Sequence, residues 1–115
     1  MRYSIVDVSI LNGNTFGEKS IELKKGEVLA VALYKDSAPS KPVNIKIEDE
    51  RGDTIHDLVS YKHYEPRGGS YLESVMPIDT GGKRDIVIKA TSKTAQTADF
   101  NFQMVFFIRE DHIIS

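Results

Sequence analysis

The chain has 115 residues, a formal net charge of −2 at pH 7, and 40% hydrophobic and 28% charged residues, the size and balance of one ordinary globular domain. It contains no cysteine, which removes a disulfide framework, a thiolate zinc site and a cysteine nucleophile together. The charge balance offers no clustered basic face for nucleic acid, and no apolar run is long enough for a membrane-spanning helix.

In chain order, the start Met1-Arg2-Tyr3-Ser4-Ile5-Val6-Asp7 lacks an apolar h-region, so no secretory signal peptide is expected. Apolar residues then recur with a period of two, as in strands with one buried face. Val6, Val8 and Ile10 form a first set, ended by the turn cluster Asn12-Gly13-Asn14. Ile21 and Leu23 form a second, followed by Lys25-Gly26-Glu27. Residues 28–34 are apolar at every position. Val43, Ile45 and Ile47 alternate up to the hydrophilic turn Asp49-Glu50-Arg51-Gly52-Asp53. The stretch from Thr54 to Tyr61 reads as a strand or a helical turn, and Glu65-Pro66-Arg67-Gly68-Gly69-Ser70 as a loop. Tyr71 to Ile78 reads as a strand ending near Pro77, before the turn Thr80-Gly81-Gly82-Lys83. Ile86, Ile88 and Ala90 alternate next. Last, Phe100, Phe102, Met104, Phe106 and Ile108 share one face of a long strand, opposite Asn101 and Gln103.

About eight strands at roughly ten-residue intervals predict an all-β fold. The expectation is a single domain over residues 1–115, an antiparallel two-sheet β-sandwich. Eight strands make it jelly-roll-like; seven make the second choice, an immunoglobulin-like sandwich without its disulfide.

Two strands break the in-and-out rule. In residues 28–34, Leu29, Val31 and Leu33 take one face and Val28, Ala30, Ala32 and Tyr34 the other; in the last strand, Val105 and Phe107 turn the polar face apolar. A sandwich strand with one wet face normally alternates cleanly. Either a loop or the C-terminal Ile113 and Ile114 cover these positions, or the face meets another subunit through Tyr34, Val105, Phe107, Ile113 and Ile114.

Signals for chemistry are weak. His56 and His63 stand at no metal-ligand spacing, and no serine has a nucleophile-elbow pattern. The acidic run 49–53 with Asp57 lacks the spacing of an EF-hand, although irregular sandwich loops also hold calcium. Arg51-Gly52-Asp53 matches the adhesion tripeptide but coincides with a turn that needs glycine. Tyr61, His63, Tyr64 and Arg67 are the candidate rim of a ligand loop, where aromatic faces stack on sugar rings.

No catalytic, metal-binding or cofactor-binding residue is therefore assigned, and no cofactor is expected. The leading expectation is a non-enzymatic structural protein that packs on copies of itself or on a larger shell. Its concrete form is a small virion component: a minor capsid, decoration or tail-associated protein of a bacterial virus. The alternative is a carbohydrate- or small-ligand-binding module, calcium-assisted. The expected partner is protein, with no nucleic acid and no membrane; the expected location is the virion or otherwise the cytoplasm.

Overall fold

The computed structural model describes residues 2–66, 76–78 and 80–109. Among these the chain is all-β: eight strands and one 3₁₀ turn, with no α-helix. The strands are β1 (Arg2–Ile10), β2 (Phe16–Glu22), β3 (Glu27–Lys35), β4 (Asn44–Asp49), β5 (Thr54–Ser60), β6 (Met76–Pro77), β7 (Asp85–Thr91) and β8 (Phe100–Arg109). The strand expected over 71–78 has only its end, β6, among the described residues.

Two four-stranded antiparallel sheets form, in the orders β1-β8-β3-β6 and β2-β7-β4-β5. They pack face to face over one core. The first sheet contributes Val6, Val8 and Ile10 from β1, Val31 and Leu33 from β3, and the even-numbered residues of β8; the second contributes Ile45, Ile47, Ile86 and Ile88. Each fully buried side chain of this kind is worth about 1.5–3 kcal/mol of transfer free energy. The alternation read from the sequence is the alternation of these inward residues.

Three local departures matter. First, β3 carries a β-bulge between Val28 and Ala30. The extra residue reverses the phase of the strand. Val28 therefore packs on the main core, and Leu29 joins the outer cluster with Ala30, Ala32, Val105 and Phe107. Strict alternation had assigned Val28 and Leu29 to the opposite faces.

Second, β2 begins at Phe16, five residues before the first apolar position the pattern offered, Ile21. Its second residue, Gly17, lies where β1 and β2 cross. A Cβ there would stand 2.1 Å from the Ser9 carbonyl oxygen, so only glycine fits.

Third, of the two alternatives for 54–61, the strand is the one that forms, with Tyr61 alone of that stretch in the turn that follows. The chain is a strand to Ser60, then a 3₁₀ turn, Tyr61–Tyr64, whose start is capped by the Ser60 hydroxyl accepting from the Lys62 backbone N–H.

Candidate interaction face

The outward residues of the β1-β8-β3 sheet form cross-strand rows, because antiparallel partners on one face sit side by side. Tyr3 pairs with Phe107, Ile5 with Val105, Asp7 with Gln103 and Ser9 with Asn101. On the other side of β8, Ala30 pairs with Phe107, Ala32 with Val105 and Tyr34 with Gln103. The face thus grades along the strands from two apolar rows, through a mixed row holding Tyr34, to a polar end.

Within the apolar half, Phe107 is 0% exposed, with Ala30 and Ala32 also buried and Leu29 and Val105 packed against them. The Tyr3 ring meets Phe107 edge-on at a centroid distance of 5.4 Å. Phe107 is thus an interior residue of this chain, not an exposed anchor. The large apolar groups that reach solvent here are Tyr3 at 38%, Ile5 at 55% and Tyr34 at 44% exposure. Tyr34, one of the residues expected at an interface, is thus among the exposed ones. Tyr3 and Ile5 were not singled out, although they alternate with Val6, Val8 and Ile10 on the opposite parity. Ile113, Ile114 and Arg67 lie outside the described residues.

No family model matches the chain, and no curated protein matches it either.

The outer face of the second sheet is different in kind. Glu48 of β4 pairs with Lys89 at 2.8 Å and Lys46 at 2.9 Å, and Lys89 reaches Glu18 of β2 at 3.9 Å. Lys89 and then Lys46 hold the Glu48 carboxyl below its ordinary range, and Glu48 in turn raises Lys89. This is a charge-compensated surface in which the Glu48 carboxylate is buried between its lysines.

In the candidate ligand loop, the two tyrosines among the described residues face inward. In a 3₁₀ turn residues i and i+3 eclipse, and here both Tyr61 and Tyr64 turn into the core, where they are buried. Tyr61 stacks edgewise on Phe100 at 5.7 Å, with the Lys35 ammonium 5.6 Å over its ring. The Tyr64 hydroxyl is hydrogen-bonded to His56 Nδ1 at 2.8 Å, and burial pushes its ionisation well above the usual phenol value. Of the three described rim residues His63 alone is exposed, so neither Tyr61 nor Tyr64 presents an open ring face for a sugar to stack on.

The acidic run is a hairpin turn. Asp49 Oδ1 accepts from the backbone N–H groups of Arg51 and Asp53, both at 2.9 Å, and Oδ2 takes the Lys83 ammonium. Lys83 holds the Asp49 carboxyl below its usual range, and Asp49 raises Lys83. Gly52 supplies the positive φ of +90° that the turn requires. Arg51 and Asp53 are exposed at the tip. Among the described residues no group of three histidine or acidic side chains is placed to hold a metal ion.

Proposed function

We propose that this chain is a non-enzymatic assembly protein that packs on copies of itself through the apolar half of the β1-β8-β3 face. The observation that carries the reading is the pair Tyr3 and Ile5, exposed side by side on a nine-residue strand that has β8 as its one strand neighbour among the described residues. A long edge strand bearing apolar groups is a template for pairing with another chain. Two copies meeting at β1 bury Tyr3 and Ile5 and continue the sheet at the same time. The second sheet exposes its large apolar groups singly, Phe16 on β2 and Leu58 on β5, at its two opposite edges.

The fold is a jelly roll in this reading. Strand orders of 1-8-3-6 and 2-7-4-5 are those obtained by rolling up a long hairpin in which strands 1 and 8, 2 and 7, 3 and 6, and 4 and 5 lie together. Jelly rolls serve as viral shell proteins and as lectins. We place this one in a virion, as a minor capsid, decoration or tail-associated component; that setting rests on fold analogy. Portal or major-shell genes beside its own support the setting, and glycosidase genes there overturn it.

Sedimentation equilibrium over a wide concentration range tests self-association. The chain is expected to form dimers or larger species, and Ile5→Lys to raise the dissociation constant by about tenfold or more with an unchanged Tm. A strict monomer at high concentration, or an Ile5→Lys variant that associates as before, overturns the proposal.

A further inference from the structure

The polar half of the same face forms an open groove of about 410 Å³, lined by Asp7, Ser9, Tyr34, Asp36, Asn101 and Gln103. All six are exposed. Asp7, Gln103 and Tyr34 stand in one cross-strand row, and Ser9 faces Asn101 in the next. With strands about 4.8 Å apart and same-face residues about 7 Å apart along each strand, three strands and two rows make a patch roughly 10 Å by 7 Å. That is the footprint of one or two small rings.

The chemistry of the lining selects among ligands. Tyr34 offers a flat, amphipathic ring surface, 44% exposed. The Ser9 hydroxyl donates to Asn101 Oδ1 at 2.7 Å, which commits that oxygen and leaves the amide nitrogen to donate. Gln103 both donates and accepts, and the two carboxylates accept. Lys35 also lines the groove, but its ammonium is engaged by Glu65 and lies over the Tyr61 ring, on the core side of its strand. Two carboxylates without an uncommitted ammonium disfavour phosphate, sulfate or any other anion. The density of polar groups disfavours a purely apolar ligand. What remains is a neutral molecule with many hydroxyls and one apolar ring face.

We propose that this groove binds a neutral saccharide, with Tyr34 stacking on the sugar ring and Asp7, Asp36, Asn101 and Gln103 hydrogen-bonding its hydroxyls. The site uses only the polar rows and does not rest on self-association through Tyr3 and Ile5. It also differs from the 61–67 loop, whose two tyrosines are interior.

The test is an NMR titration of the full chain with methyl glycosides of glucose, galactose, mannose and N-acetylglucosamine, and with malto-, cello- and chito-oligosaccharides. At least one is expected to shift the backbone amides of Asp7, Ser9, Tyr34, Asn101 and Gln103. Tyr34→Ala and Asn101→Ala should each weaken that binding by about tenfold or more. The Ile5→Lys variant, expected to be monomeric, should bind unchanged, which separates this site from the assembly surface. Silence across the panel at about 50 mM, where even a millimolar ligand is close to saturation, overturns the proposal. So do shifts confined to other surfaces, tighter binding of a sialylated or sulfated sugar, or shifts produced by an oligolysine peptide and by no sugar.

Discussion

Gln96 is 1% exposed, and its side-chain amide ties two loops together at one end of the sandwich. Its Oε1 accepts from the Ser40 backbone N–H and hydroxyl, both at 3.1 Å, and Nε2 donates to the Lys41 carbonyl and the Ser92 hydroxyl, also at 3.1 Å. Removing one side of a buried network leaves the other side desolvated and unpaired, which costs more than the bond itself contributed. Gln96→Ala is therefore expected to destabilise the domain by roughly 2–4 kcal/mol in urea denaturation. Asp49 makes a prediction in pH. Its carboxyl titrates lower in the folded chain than in the unfolded one, so its contribution is complete above the unfolded value of about 3.9 and disappears as pH falls through the folded value. Lys83 is raised, so its contribution is complete below about 10.4 and disappears as pH climbs through its higher folded value. Between those limits the pair contributes fully. Asp49→Asn keeps an acceptor for the two turn N–H groups but loses the ammonium, and its Tm should approach that of the native chain only at the two pH extremes. Asp49→Ala also orphans the turn N–H groups and should melt lower than Asp49→Asn throughout.

Among the elements, the β1–β2 corner admits a direct check. Gly17→Ala places a methyl group far inside van der Waals contact with the Ser9 backbone, and backbone cannot swing aside as a flexible side chain can. The expected cost is at least the 1–3 kcal/mol or so typical of overpacking, read as a lowered denaturation midpoint with the slope retained. The same corner explains why β2 was hard to read: its inward position at 17 carries no side chain, so the period of two is invisible there. In β3 the bulge was hidden for the opposite reason, because an unbroken apolar run gives no mark of phase. Where alternation was clean, as in β1 from Val6, in β7 and in β8, the inward residues were legible one by one. The ligand loop misled because tyrosine has an apolar ring and a polar tip. Sequence alone did not say that the 3₁₀ turn would point both rings the same way, into the core.

At the scale of the molecule, the two outer faces differ in chemistry. The β2-β7-β4-β5 face carries ion pairs centred on Glu48, whose carboxylate is buried between the half-buried Lys46 and Lys89. Lys89→Ala should leave self-association unchanged in sedimentation and lower Tm, because the buried Glu48 carboxylate then keeps Lys46 alone of the two. A variant there that abolished association would shift the contact surface to the wrong sheet. The order of the other sheet has a consequence for synthesis. β8 lies between β1 and β3 and is the shared neighbour of both, yet it is the last of the eight strands to be made. A nascent chain therefore holds two apolar strands without the strand that joins them until residue 109 has cleared the ribosome. At about 5–20 residues per second that wait lasts several seconds, and cotranslational folding of this sheet by stages is closed off. That sheet closes late, and ribosome-bound chains that stop before β8 should be cut by protease within β1 and β3.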